Sequence, residues 1–205
     1  MSRSRKPYHH GNLRRALLDA ALAFIDEKGP HSFSMQDLAR RAGVSSGAPY
    51  RHFRSKDDLL AEIAREGLSL LEGFERDMMA RCEDPSEHFR AAGVAHVLFA
   101  VTHPAHFRIL FSRECIDAEA LPELARRVNL GHELADQLFQ ESQLGTDAPV
   151  QDPRLVMLTA QATMHGLARL FIDGQLPRAG ISSDQAEAIA MAVSAVLGHG
   201  LLPRE

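Results

Sequence analysis

Helical spacing runs through almost the whole chain, and this pattern limits the fold more than any other feature of the sequence. Apolar residues recur at intervals of three and four residues in one segment after another, as amphipathic helices require. Sustained alternation of apolar and polar residues, which a half-buried strand needs, is weak throughout. Hydrophobic residues make up 45% of the chain, which is enough for a sizeable core. The sequence contains no run of 18 apolar residues, the length that a membrane-spanning helix needs. We therefore expect an all-α protein without a membrane partner.

Nine helices are predicted from this spacing and from the capping and helix-breaking residues between them. They cover about residues 13–28, 35–42, 46–52, 54–81, 85–102, 105–112, 121–143, 154–173 and 183–201, with loops at 145–153 and 174–182. Ser34, followed by Asp37 three residues later, predicts a capping box at the start of the second helix. Gly43 permits the sharp turn that must follow this helix, because glycine adopts positive φ without steric cost.

Charge is divided unequally along the chain. Residues 1–56 hold eleven Lys/Arg and four Asp/Glu, a net charge of +7, whereas the remainder holds twelve bases and 23 acids, a net charge of −11. A basic head on an acidic body is typical of a chain that meets a polyanion with one end. An accidental asymmetry in a soluble enzyme is the alternative that charge alone leaves open.

The two cysteines, Cys82 and Cys115, are too few for a disulfide framework. They predict free thiols in a reducing compartment, and the basic first residues are followed by no apolar stretch of the kind that a secretory signal needs. We expect a cytoplasmic protein.

The second and third predicted helices are short and joined by a four-residue turn that contains Gly43, which describes a helix-turn-helix. Such a unit places the second helix of its pair in the major groove of DNA. We expect sequence readout from Gln36, Ser46, Gly47 and Ala48, and phosphate contacts from Tyr50, His52 and Lys56. The alternatives are a packed aromatic side chain at Tyr50 and an ordinary surface lysine at Lys56.

Residues 33–60 closely resemble the DNA-binding signature of the tetracycline-repressor (TetR) family. The resemblance is carried by the Ala-Gly-Val-Ser turn at 42–45, by Tyr50 and Phe53, and by Ser-Lys-Asp-Asp-Leu-Leu at 55–60. It implies about nine helices, of which the first three bind DNA, while the last two pair with those of a second copy in a four-helix dimer interface. It also implies that Lys56 contacts a phosphate from the start of the fourth helix, and that Tyr50 and His52 lie at the DNA backbone. One departure is Pro49, where the family commonly has an aliphatic residue.

The resemblance divides the chain into a helix-turn-helix domain at 1–56 and a helical regulatory and dimerisation domain at 57–205. Met164-His165-Gly166 is similar to a subgroup whose C-terminal domain carries Trp-His-Gly, with methionine in place of tryptophan. Candidates for an apolar effector pocket combine aromatic, methionine and a few polar side chains. They are Phe74, Met78, Phe89, His96, Phe99, Phe107, Phe111, Cys115, Met164, His165 and Arg169. The alternative for each of them is ordinary core packing.

These observations favour a sequence-specific DNA-binding regulator, acting as a homodimer on a palindromic operator and released from it by a small apolar effector, as a repressor is. An activator or an unliganded regulator of the same fold, an all-helical carrier and an all-helical enzyme are the alternatives. The sequence contains no phosphate-cradling glycine loop, nucleophile elbow or HExxH motif, so we expect neither an enzyme nor a cofactor. His96, His103 and His106 do not have the spacing of a compact metal site on one helix.

Overall fold

The computed structural model describes residues 13–84, 87–112, 122 and 153–201, and every regular element with bounds in these ranges is helical. The α-helices are α1 (Leu13–Lys28), α2 (Met35–Arg41), α3 (Lys56–Met79), α4 (His88–Thr102), α5 (Pro104–Leu110), α6 (Pro153–Ile172), α7 (Gln175–Arg178) and α8 (Ala186–Leu201). Short 3₁₀ segments cover Pro49–Arg51 and Ser183–Gln185. The predicted all-α class is confirmed. The helix predicted at 121–143, the loop predicted at 145–153 and Cys115 lie outside the described residues, apart from residues 122 and 153.

The first three helices pack around one apolar centre. Leu17 and Ile25 of α1, Leu38 of α2, and Leu59 and Ile63 of α3 are completely buried there. Each of these residues falls on the apolar face of its helix, so burial follows from the three-and-four spacing. The predicted capping box is also present: Asp37 N–H donates to Ser34 Oγ at 3.3 Å, and Ser34 N–H donates to Asp37 Oδ2 at 2.9 Å.

The third helix predicted at 46–52 is wrong, because the structure has only a 3₁₀ turn there. Pro49 has no N–H to donate, and the neighbouring N–H groups bond three residues back: Ala48 to Ser45, Arg51 to Ala48 and His52 to Pro49, at 2.9 to 3.2 Å. Gly43 precedes this segment at φ +70°, as the sharp turn requires.

Several other bounds differ from prediction by one to three residues. Helix α3 ends at Met79, two residues early, and the predicted loop at 174–182 contains the single-turn helix α7. Gly174 lies between the end of α6 and the start of α7, where it is the N-cap residue. Its φ of +75° is a backbone conformation that glycine adopts without steric cost.

Helix α4 lies at the centre of the regulatory half and contacts α3, α5, α6 and α8. Its buried residues include Val94, Val97 and Phe99, which fits a helix that is apolar around most of its circumference. Gly93 of α4 lies against α6, where an added Cβ would be 3.2 Å from Met164 Cγ. Glycine at 93 therefore makes room for Met164.

An apolar face of α6 and α8 is left uncovered in the single chain. Leu158 is 60% exposed and Val196 is 73% exposed, and Leu155, Leu170 and Met191 are exposed beside them. Among the described helices, α6 is long and apolar enough over 154–172 to cross a membrane, yet only 22% of that stretch is buried within the chain. A helix this apolar and this exposed needs a cover, whether protein or lipid.

Candidate DNA-binding interface

The 3₁₀ turn at Pro49–Arg51 presents two opposite faces. Pro49 and Phe53 are buried in the core of the three-helix unit, and Arg14 lies over the Phe53 ring at 5.2 Å from its centroid. Tyr50 is 54% exposed, and His52 is exposed as well. The turn is too short to hold its own shape, so the two buried side chains fix the direction of the exposed ones.

The residues predicted for sequence readout divide in the same way. Gln36 on α2, and Ser46 and Gly47 in the turn, are exposed. Ala48 is 8% exposed, so its methyl group belongs to the core rather than to the outer face. Of the four, Gln36, Ser46 and Gly47 are placed where a groove could reach them.

Lys56, the first residue of α3, contacts Phe33, which precedes the N-cap residue of α2. Its Nζ donates to the Phe33 carbonyl oxygen at 2.9 Å and lies 4.2 Å from the centroid of the Phe33 ring. A cation placed this way gains both a hydrogen bond and a cation–π contact. The ammonium keeps two further donors, which is the capacity that the predicted phosphate contact needs.

Four of the predicted effector residues form one cluster of rings. Phe107 of α5, His96 of α4 and His165 of α6 contact one another. The ring centroids are 5.2 Å apart for Phe107 and His96, 5.2 Å for Phe107 and His165, and 5.5 Å for His96 and His165. Phe111 completes the cluster, 4.8 Å from Phe107 and 4.9 Å from His96. We call these four residues the ring cluster. Phe107 is completely buried, whereas Phe111 is 39% exposed at its edge.

The other candidates lie around the ring cluster or apart from it. Phe99 is 6.2 Å from Phe107, and Phe74 is 6.3 Å from Phe99. Met78 is buried near the end of α3, and Phe89 is half-buried. Met164 packs on Gly93, and Arg169 pairs with Asp173 at 2.9 Å.

Burial lowers the pKa of His165 below the ordinary histidine value, and the charge of Arg169 lowers this pKa further. Its imidazole is therefore neutral at pH 7, with one nitrogen that donates and one that accepts a hydrogen bond. The ring cluster thus combines apolar rings with the neutral imidazole of His165.

Helix α5 carries Phe107 of the ring cluster and also contacts α1 of the first three-helix unit, a connection that sequence reasoning missed. His106, beside Phe107, is buried against α3. Its Cβ would lie 3.2 Å from a Cβ added at Gly67. On the other side of Phe107, Arg108 Nη2 donates to the carbonyl oxygen of Ile172, the last residue of α6, at 2.8 Å. Three consecutive side chains thus contact α3, the ring cluster and α6.

An open groove of about 570 Å³ lies between α1 and α3. Its walls are mostly polar, formed by Arg14, Arg15, Leu18, Glu62, Arg65, Glu66 and Ser69. Arg14 and Glu62 pair across it at 2.8 Å. This groove has the wrong character for an apolar effector, and none of the predicted effector residues lines it.

Known proteins match the chain at both ends. Residues 17–63 match the domain described as bacterial regulatory proteins, tetR family. Residues 89–196, more than half of the chain, match the tetracyclin repressor-like C-terminal domain. The subgroup marked by Trp-His-Gly stays a prediction.

Individual relatives agree with these matches. The HTH-type transcriptional regulator BetI of Agrobacterium fabrum is 37% identical over 105 residues, which cover 51% of this chain and 47% of BetI. The HTH-type transcriptional regulator AcrR of Shigella flexneri is 30% identical over 159 residues, which cover 75% of this chain and 73% of AcrR. The chain thus spans about half the length of BetI and nearly three quarters of AcrR.

The solved structure of the ketosteroid transcriptional regulator KstR2 of Mycobacterium tuberculosis has the same fold. The TM-score is 0.70 over 98% of this chain and 100% of that one, at 21% sequence identity. Matches to both domains, together with the AcrR alignment, settle the assignment. The chain belongs to the TetR family of bacterial regulatory proteins.

Proposed function

We propose that this chain is a sequence-specific DNA-binding transcription regulator of the cytoplasm, a repressor that a small apolar effector releases from a palindromic operator. One observation carries the proposal beyond family membership: Tyr50 and His52 face solvent while Pro49 and Phe53 anchor the same turn in the core. A rigidly held outer face with mixed hydrogen-bonding groups suits a DNA groove. The DNA-binding head is residues 1–56 and the regulatory body is residues 57–205.

The exposed apolar face of α6 and α8 supports a homodimer through these two helices. Leu158 and Val196 would be covered by the second copy, and small residues such as Ala162 and Ala192 let the helices approach closely. Two heads held at a fixed spacing read two half-sites, and this raises the weak affinity of one short recognition turn. A dimer therefore accounts for the uncovered face and predicts a palindromic site.

The ring cluster is the part of the body that we propose to contact the effector. Its side chains supply apolar surface and two imidazoles, and Phe111 provides an exposed edge for entry. Phe107 is fully buried, so an effector must displace it, which also moves its neighbours His106 and Arg108 on α5. The effector controls DNA binding only if it binds the two states of the dimer with different affinity.

Selection of bound duplexes from a random-sequence pool, with the purified full chain, tests the proposal. We expect a palindrome to be enriched, and its affinity to fall steeply as salt is raised, because phosphate contacts release counterions. A panel of uncharged aromatic and aliphatic compounds then identifies a ligand that releases the protein from this site. Failure to enrich any sequence, both without and with the panel, would exclude a sequence-specific regulator.

A further inference from the structure

Most arginines in the described part of the DNA-binding head are already neutralised by a carboxylate. The pairs are Arg14 with Glu62 (2.8 Å), Arg15 with Glu66 (2.7 Å), Arg41 with Glu27 (2.8 Å) and Arg40 with Asp37. An arginine paired in this way carries a negative charge with it toward any phosphate that it approaches. Its contribution to the attraction between the head and DNA is correspondingly small.

Arg51 and Arg54 differ from these four. Both are exposed, and neither forms an ion pair with any residue that the structure describes. The nearest acidic residues in sequence are Asp57 and Asp58, and the Asp58 carboxylate accepts the backbone N–H of Arg54 at 3.0 Å. These two guanidinium groups therefore keep their full charge and all their donors.

Their position adds to this difference. Arg51 ends the 3₁₀ turn and Arg54 follows the buried Phe53, so the two arginines lie on either side of His52 on the turn that carries Tyr50. Lys56, two residues further on, is half-buried and already donates to the Phe33 carbonyl oxygen. Among the arginines of the described head, exposed charge without an ion pair is thus concentrated at the edges of the recognition turn.

We propose that Arg51 and Arg54 contact DNA phosphates beside the recognition turn and supply most of the attraction that the described arginines of the head exert on DNA, while Arg40 and Arg41 serve to hold the head together. The inference rests on the proposed DNA-binding function and assigns two residues that the sequence motif did not indicate. Phosphate contact costs these arginines no existing ion pair, and their forked donors fit phosphate oxygens.

The test compares the salt dependence of binding for Arg51→Gln, Arg54→Gln and the double variant with that of wild type. The probes are a fluorescein-labelled duplex carrying the selected palindrome and a duplex of scrambled sequence. Each single change is expected to reduce the slope of log K against log salt by about 0.9 per head, and the double change by about 1.8, on both duplexes. Arg51→Lys keeps the charge and is expected to restore the slope.

Arg40→Gln is the matched control, because it removes a charge that is also exposed and belongs to the same motif but is paired with Asp37. We expect it to leave the slope unchanged. Unchanged slopes for Arg51→Gln and Arg54→Gln in a protein that still binds the palindrome would overturn this inference alone. The same is true if Arg40→Gln reduced the slope equally. A wild-type protein that bound neither duplex would overturn the inference and the proposed function together.

Discussion

Glu66 Oε1 accepts a hydrogen bond from Arg15 Nη1 at 2.7 Å and lies 3.8 Å from Nε2 of the buried His106. Arg15 belongs to α1 in the DNA-binding head, and His106 belongs to α5 beside the ring cluster. One carboxylate of α3 thus lies between a permanent cation of the head and an ionisable group of the body.

Stability should fall as pH falls, because burial lowers the pKa of His106, with His103 and Arg15 acting in the same direction and Glu66 opposing them. Burial also lowers the pKa values of His103 and His165. The unfolded chain then binds more protons than the folded chain below the ordinary histidine pKa of about 6.5, and the free energy of unfolding decreases there. Urea unfolding at several pH values between about 5 and 8 measures this.

His106→Gln should make that decrease smaller, whereas His52→Gln, at an exposed position on the recognition turn, is the matched control and should leave it in place. An equally steep decrease in His106→Gln would assign the pH dependence to other groups.

Gly67→Ala and Gly73→Ala form a matched pair within α3. An added Cβ at 67 would meet His106 Cβ at 3.2 Å and its carbonyl oxygen at 3.7 Å, whereas nothing lies within 4 Å of the position at 73. We expect Gly73→Ala to stabilise the protein by about 0.5–1 kcal/mol through helix propensity. Gly67→Ala should lose this gain and cost about 1 kcal/mol, because α5 must move away from α3. Urea unfolding measures the free energy of unfolding of both variants. An equal increase at both positions would show that the contact between α3 and α5 is loose.

Lys56→Met separates the two roles that the structure gives to this lysine. Loss of the hydrogen bond to the Phe33 carbonyl oxygen should destabilise the protein by about 1 kcal/mol. The loss stays this small because the methionine side chain still packs on the Phe33 ring. If the ammonium also contacts a phosphate, the salt dependence of DNA binding becomes shallower by about 0.9 per head. Lower stability with an unchanged salt slope would leave Lys56 a structural role alone.

Gln36→Ala should change which sequences are selected more than it changes affinity for scrambled DNA. Gln36 is exposed on α2, and its amide can donate to and accept from one adenine edge. Repeating the random-pool selection with this variant gives the preference profile. A profile identical to that of wild type would remove Gln36 from sequence readout.

Val196→Glu should convert the proposed dimer into monomers. The residue is 73% exposed in the single chain, and an interface through α8 would bury the new charge without a partner. This costs about 3 kcal/mol or more, which corresponds to at least a 100-fold rise in the dimer Kd. Light scattering coupled to size exclusion measures the mass. Ser69→Glu, exposed on α3, is the control, and a Val196→Glu protein that stayed dimeric would place the interface elsewhere.

The head was predictable where its structure depends on neighbours in sequence. The Ser34–Asp37 capping box, the buried face of α1 and the positive φ of Gly43 all follow from residues at most a few positions apart. The third helix was predicted wrongly for a local reason as well. Pro49 satisfies the rule for the first turn of a helix, yet the helix does not continue: a single bond of four-residue spacing, from Phe53 N–H to the Pro49 carbonyl oxygen at 3.0 Å, closes the 3₁₀ turn.

Contacts between distant residues were not predictable from spacing. Lys56 and Phe33 are 23 positions apart, and Arg108 and Ile172 are 64 apart, so no periodicity brings them together. The ring cluster is an intermediate case. Its members were named for their chemistry, but their meeting depends on how α4, α5 and α6 pack, which a single sequence does not encode in any local pattern.

The two buried anchors of the recognition turn separate what the turn reads from what keeps it folded. Pro49 and Phe53 lie in the core, whereas the side chains of Tyr50, Arg51, His52 and Arg54 are exposed. Exchanging the outer four residues should therefore change the affinity for DNA while it leaves the stability of the head nearly unchanged. Changes at the exposed Ser46 and Gly47 should redirect the protein to other sites. New operator preferences can thus be grafted onto this scaffold, or arise during divergence of duplicated copies, without repair of the fold.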